Sequence, residues 1–167
     1  MHRGEVNRRM NGFTMLIVLG MVALASAGLS LVGSRYTKQV QRDKEQELLI
    51  VGRMYAAALQ RYYDSAPGNL KRYPKTLDWL ARDPRFAGVV RHLRKVYPDP
   101  LQPDKPWGLA FDSNGGIVGV FSVNYAQPLG PASPLAPVAD ARRYSDWLFL
   151  ADPKLTNFTL SITGAPP

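Results

Sequence analysis

The sequence predicts an α+β protein in which one long N-terminal helix packs on a small antiparallel β-sheet head with short helices. Three observations support this fold class. All 14 prolines of the 167-residue chain lie at or after Pro67, and proline breaks helix interiors. Residues 13–32 are apolar and carry no charge, which favours a helix. Beyond Pro67, short apolar runs alternate with turn residues, a pattern typical of antiparallel strands.

The composition excludes several classes of protein. The chain has no cysteine, which rules out a disulfide scaffold, a thiolate metal site and a cysteine nucleophile. A hydrophobic content of 46% is ordinary for a globular protein, so a wholly disordered chain is not expected. The net charge of +8 is compatible with nucleic acid or a membrane surface, and charge alone does not choose between them.

The N-terminal part divides into a leader and an apolar helix. Residues 1–12 form a short basic leader with Arg8 and Arg9 near its end. Residues 13–32 are predicted as a transmembrane helix in contact with the lipid bilayer, because a helix of this length rises about 30 Å, the thickness of the hydrocarbon core. A short basic tail stays cytoplasmic, so we expect the bulk of the chain outside the cytoplasm.

Residues 33–66 are predicted as an amphipathic helical stalk that continues the same helix to about residue 64. Apolar residues recur there at steps of three and four, which places them on one face of an α-helix. Following Lys44, they are Leu48, Val51, Tyr55, Leu59 and Tyr62. We expect this face to pack against a small globular partner, the head.

Residues 67–167 are predicted as an α+β head. The predicted elements are, in chain order, helices at 76–80 and 85–96, a hairpin formed by 107–111 and 117–123, and strands at 144–150 and 155–162. The hairpin is indicated by an Asn-Gly turn between two partly β-branched apolar runs. Four prolines make residues 126–139 a proline-stiffened loop.

The junction between leader and helix carries a family resemblance. The stretch Arg8-Arg9-Met10-Asn11-Gly12-Phe13-Thr14-Met15-Leu16 resembles the prepilin leader of type IV pilins and type II secretion pseudopilins. The resemblance implies that a membrane prepilin peptidase cuts between Gly12 and Phe13 and then methylates Phe13. It assigns Arg8 and Arg9 as leader charge. A Cβ at position 12 would obstruct an extended strand in the peptidase cleft, which gives a physical reason for the glycine.

Parts of the predicted head are similar to a pseudopilin group related to the major type II secretion pseudopilin. These parts are residues 94–100, 107–109, 115–122 and 144–149. The resemblance implies a pilin-like lollipop fold and a structural subunit of a type II secretion or type IV pilus-like filament. Such a subunit works by membrane insertion, leader processing and assembly. Its implied partners are the prepilin peptidase/methyltransferase, other pseudopilins or pilins, and an inner-membrane assembly platform.

The resemblance also implies a location and leaves alternatives. It places the chain in the bacterial inner membrane as a single-pass protein with its head in the periplasm. A plain signal anchor and a secretory signal cleaved near residues 25–27 are alternative interpretations of the N-terminus. A second function, from another class, is a membrane-anchored periplasmic binding or scaffold protein that keeps its leader.

Ile17 departs from the family pattern. The family usually has a glutamate four residues after the new N-terminus, and that carboxylate is thought to neutralise the N-terminal amine of a neighbouring subunit. Isoleucine stands at this position here. A buried unpaired charge is costly, so this chain is expected to enter a homopolymer poorly.

No catalytic constellation is found in the sequence, and the chain is not predicted to be an enzyme. His92 lies among Arg91, Arg94 and Lys95 without an acidic neighbour, so we expect a surface residue of the helix at 85–96. The basic cluster from Arg82 to Lys95 is interpreted as a solvated face. No nucleic acid is expected as a partner.

Calcium is the one cofactor that the sequence leaves open. Major pseudopilins of the family hold calcium in a loop region of the head, and oxygen donors suit this ion. The candidate ligands are Asp99, Asp104, Asp112 and Asp146, with Asn114 beside them. The alternative interpretation is that these residues shape tight turns, for which Asp and Asn are equally suited.

Overall fold

A computed structural model describes residues 7–68, 71–129 and 142–162. Within the first helix, its side chains are described for residues 12–24 and from residue 36 onward. The chain divides into two compact units, Met1–Gln41 and Arg42–Pro167. The described part of the first unit is helical, and the second unit contains the C-terminal part of the same helix, a second short helix, a sheet and their connecting loops.

The first helix, α1, runs from Asn7 to Asp64. It therefore begins six residues before the predicted start at residue 13 and ends where predicted. Proline is absent from this stretch, and after Asp64 the chain turns through residues 65–68, with Gly68 at a φ of 73°. A positive φ is readily accessible only to glycine, so Gly68 suits this turn.

The predicted membrane-spanning helix is not seen, so the fold-class prediction is wrong on this point. Among the residues that the structure describes, no helix is both long and apolar enough to cross a membrane. The side chains of 25–32, the remainder of the predicted span, lie outside the described residues.

The second unit is an α+β fold with one four-stranded antiparallel sheet. Its strands are β1 (Gly108–Phe111), β2 (Ile117–Phe121), β3 (Leu148–Leu150) and β4 (Thr159–Ser161). Their order in the sheet is β3-β2-β1-β4. A short helix, α2, spans Asp78–Ala81, and a 3₁₀ turn spans Tyr144–Asp146.

The β1–β2 hairpin forms at the predicted turn. Asp112 closes it, because its backbone N–H donates to Gly116 O at 2.9 Å and its carbonyl accepts the Gly115 N–H at 3.1 Å. Its Oδ1 also accepts the N–H groups of Asn114 and Gly116. Gly115 adopts a φ of 73°, which explains the glycine after Asn114. The strands at 144–150 and 155–162 are also present, but they are shorter than predicted.

The predicted stripe of α1 is the centre of the core. Leu48, Val51, Tyr55, Leu59 and Tyr62 are all at most 6% exposed, and they cluster with the aromatic and branched side chains of the sheet. Gly52 allows close packing here, because a Cβ at this position would overlap the ring of Phe149 on β3. The prediction that this face packs on the head is confirmed.

The predicted helix at 85–96 is wrong, because the chain there is an irregular loop. The backbone N–H groups of His92 and Leu93 both donate to Leu80 O at 2.8 Å, and the Asp83 N–H donates to Val90 O at 3.0 Å. These bonds fold the segment back on α2, and they use backbone groups that a helix would need for its own ladder. Of the predicted proline-rich loop 126–139, only residues 126–129 are described.

Candidate functional site

The predicted processing junction lies inside α1. The helical backbone runs from Asn7 through Gly12 and Phe13 without interruption. A Cβ at Gly12 would meet no atom within 4 Å, so folding does not require glycine at this position. An enzyme that binds the junction as an extended strand must first unwind the start of α1. The side chains of Arg8 and Arg9 lie outside the described residues.

The helix after the junction presents large apolar side chains to its surroundings. We call residues 13–24 the apolar segment. Its nine large hydrophobic side chains range from 43% exposed at Ile17 to 77% exposed at Leu24. Ile17, where the family has its glutamate, is thus itself exposed. Exposed apolar surface of this extent is typical of sites that bind another protein or a membrane.

The four candidate calcium ligands are not brought together. Among the described residues, no group of three or more His, Cys, Asp or Glu side chains could hold a metal ion. Asp104 is exposed. Asp112 shapes the hairpin turn. Asp146 Oδ2 accepts the backbone N–H groups of Arg142 and Arg143. Asp112 and Asp146 therefore shape turns, as in the alternative interpretation, and calcium binding stays a prediction.

Asp99 differs from the other three because it is fully buried. Its Oδ2 accepts a hydrogen bond from the Ser122 hydroxyl at 2.5 Å, and its Oδ1 accepts the Leu101 N–H at 2.8 Å. Ser122 is also fully buried, and its hydroxyl accepts the Asn124 N–H at 3.2 Å. This pair joins the loop before β1 to the end of β2, and it satisfies a carboxylate that would be costly to bury alone.

The sequence patterns did not predict a cluster of charged side chains around Asp83. The prediction that His92 is an exposed helix residue without an acidic partner is wrong, because its side chain is 6% exposed and its Nε2 lies 3.1 Å from Asp83 Oδ2. The Arg85 guanidinium forms a 2.6 Å ion pair with the same carboxylate. Arg85 also donates to Tyr62 O at 2.7 Å and lies 3.5 Å above the Tyr62 ring. The cluster therefore fastens the loop to the last turn of α1.

The charge state of Asp83 follows from these contacts. Burial raises the pKa of its carboxyl, but the hydrogen bonds from Arg85 and His92 outweigh burial and hold the pKa at about 2. Asp83 is thus an ionised acceptor near neutral pH. The oxygens of Asp83 accept hydrogen bonds from groups of the loop itself. These contacts therefore explain how the loop folds, and they do not point to a chemical reaction. The sequence signal that could have indicated this loop is Asp83-Pro84 followed by Arg85, because Asp before Pro often begins a turn.

The comparisons with known proteins identify no relative. No family model, no curated protein and no solved structure matches the chain.

Proposed function

We propose that the chain is a pilin-like structural subunit of a type II secretion or type IV pilus-like filament. It is matured by cleavage between Gly12 and Phe13 and assembles through the apolar segment. The observation that carries the proposal is that the helix directly after the junction exposes nine large hydrophobic side chains. Covering such a surface with neighbouring helices removes apolar area from water, at roughly 25 cal/mol per Å².

The head supports this proposal by its construction. The C-terminal part of α1 is built into the core of the sheet through Leu48, Tyr55 and Leu59, each 0% exposed. One continuous helix thus carries both the exposed apolar segment and the buried stripe. A subunit that works by assembly needs both a free helical segment for its neighbours and a folded domain that stays intact.

The isoleucine at position 17 bears on whether the filament is a homopolymer or contains several different subunits. A neutral side chain at this position cannot compensate the amine of a neighbouring subunit. A mixed filament, in which this chain contacts other pilins or pseudopilins, therefore fits better than a homopolymer. The proposed partners are those subunits, the prepilin peptidase/methyltransferase and the assembly platform.

The proposed location is the periplasmic side of the bacterial inner membrane. It rests on the resemblance of residues 8–16 to a prepilin leader. A helix that crosses the bilayer forms no part of the proposal.

Photocrosslinking in the native host tests the assembly claim. A photoreactive phenylalanine analogue replaces Leu19, which is 55% exposed in the apolar segment. A matched control carries it at Lys105, an exposed residue of the head. We expect Leu19 crosslinks to pilin-like subunits identified by mass spectrometry, with far weaker crosslinks of this kind from Lys105. Equal yields of crosslinks to such subunits from both positions would count against assembly through the apolar segment.

A further inference from the structure

A surface groove of about 450 Å³ lies beside α2. Its apolar walls include Trp79, Phe86 and Val89, and its charged lining includes Asp78 and Arg82. Trp79 and Phe86 are partly buried, whereas Val89 is 67% exposed. A valine this exposed on a folded loop is available to an apolar partner.

The groove is preformed, because its walls are held by hydrogen bonds. The loop that contributes Phe86 and Val89 is fixed at both ends by the bonds to Leu80 O and Val90 O described above. Arg61 on α1 adds a third point, since its Nη2 donates to His92 O at 2.9 Å. A ligand therefore does not have to order this loop, which lowers the entropic cost of binding.

The loop around the groove carries an excess of positive charge. The basic rim consists of Arg82, which lines the groove, and of Arg91, Arg94 and Lys95, which follow the lining residue Val89 in the same loop. All four are exposed, and within the described part of the chain the ion pairs of this loop involve only Asp83, Arg85 and His92. The Asp83 carboxylate is already bound to Arg85 and His92, so it does not offset the rim. Asp78 is the one exposed carboxylate that lines the groove.

We propose that this groove docks an acidic polypeptide segment that carries one large apolar side chain. The apolar side chain enters between Trp79, Phe86 and Val89, and flanking Asp or Glu residues pair with the basic rim. Charge complementarity of this kind favours a protein partner of opposite charge and suppresses like-charged ones. The aromatic walls are partly buried, so they form a pocket and not the exposed stacking platform that single-stranded nucleic acid uses. The proposal does not depend on filament assembly.

Fluorescence anisotropy with the full chain in a non-ionic detergent tests the proposal. The probe is a labelled peptide with one central Leu flanked on each side by three Glu. The two comparison peptides have central Ala, or Lys in place of every Glu. We expect the Glu-Leu peptide to bind at least about fivefold tighter than the Ala peptide, because only its side chain fills the groove. The Lys peptide should not bind.

Variants locate the binding. The double variant Arg82→Glu, Arg94→Glu should weaken binding at least about tenfold, since it reverses half of the rim. Val89→Asp should weaken it similarly, whereas Lys105→Glu, a matched change away from the groove, should leave it within about twofold. All four positions are exposed, and circular dichroism verifies that the variants fold. If a variant does not fold, the three-peptide comparison on the unchanged chain decides.

Three outcomes would overturn the proposal. One is equal binding of the Leu and Ala peptides. Another is an equal loss of binding in Lys105→Glu. The third is tighter binding of single-stranded DNA or anionic vesicles than of the Glu-Leu peptide.

Discussion

The Glu45 carboxylate on α1 accepts a hydrogen bond from the Tyr144 hydroxyl at 2.5 Å. The same oxygen accepts the backbone N–H of Leu129 at 2.9 Å. Tyr144 is 1% exposed, so this contact between the helix and the 3₁₀ turn is largely shielded from water. One carboxylate oxygen of α1 therefore binds two groups, the Tyr144 hydroxyl and the Leu129 N–H, that both lie far from Glu45 in sequence.

Tyr144→Phe removes the hydroxyl and keeps the ring. We expect the free energy of unfolding to fall by about 1.5–3 kcal/mol, the usual contribution of a hydrogen bond to a charged group. Urea unfolding of the full chain measures this change. Tyr125→Phe is the matched control, because Tyr125 is 57% exposed and its loss should cost less than about 0.5 kcal/mol. Equal effects in the two variants would show that the contact with Glu45 adds no stability.

Asp83 predicts a pH dependence of stability. Its pKa is about 2 in the folded chain, and an unfolded Asp titrates near 3.9. Because the pKa of Asp83 is lower in the folded chain than in the unfolded chain, its ionised carboxylate stabilises the fold fully at pH values well above the unfolded pKa. This stabilisation is lost as the pH falls toward 2. The loss should be about 2–3 kcal/mol.

Urea unfolding at pH 6 and pH 2.5 measures the contribution of Asp83. The stability decrease between these pH values should be clearly smaller in Asp83→Asn than in the unchanged chain. Asp104→Asn, at an exposed position, should retain the full decrease. An unaltered decrease in Asp83→Asn would contradict the assignment of the ionised carboxylate to this cluster.

Gly52→Ala tests the close packing of α1 on the sheet. Alanine normally stabilises a helix interior by about 0.5–1 kcal/mol over glycine. Here its Cβ would overlap the Phe149 ring, and overpacking costs typically about 1–3 kcal/mol. We therefore expect a lower melting temperature of the head. Gly20→Ala is the control, because a Cβ there meets nothing within 4 Å. A head that melts higher in Gly52→Ala would refute the packing argument.

The Asp99–Ser122 pair predicts that the head does not need calcium. Added chelator or calcium should leave its melting temperature unchanged. Ser122→Ala should cost about 1–3 kcal/mol, because it leaves a buried carboxylate oxygen without its hydroxyl donor. Ser113→Ala, in the hairpin turn, is the control. A melting temperature that rises on addition of calcium would show that the four aspartates were judged wrongly.

Local patterns in the sequence predicted the buried face of α1 and the β1–β2 hairpin. The stripe from Leu48 to Tyr62 follows the helical period, and the Asn114-Gly115 turn marks the hairpin, so both depend on local residues. The role of Gly52 could not be predicted from the sequence, because the residue that leaves no room for a Cβ there is Phe149 on β3, which is distant in sequence.

The cluster at Asp83 was missed for a related reason. The amphipathic spacing of Val89, Leu93 and Val96 predicted a helix, and in a helix Asp83 and His92 would be far apart. In the fold, the hydrogen bonds to Leu80 O and the contact of Arg85 with Tyr62 hold this segment as a loop and not as a helix. The membrane span was predicted from apolar composition over residues 13–32, whereas no helix among the described residues is long and apolar enough to cross a membrane.

The N-terminus of the mature chain tests the central claim most directly. The full chain is expressed with a prepilin peptidase/methyltransferase, and its intact mass and N-terminal peptide are measured by mass spectrometry. We expect a chain that begins with N-methylated Phe13. Gly12→Val should block this cleavage and leave the fold unchanged, because nothing contacts a Cβ at Gly12. A chain that keeps Met1, or one cut near residues 25–27, would contradict cleavage between Gly12 and Phe13.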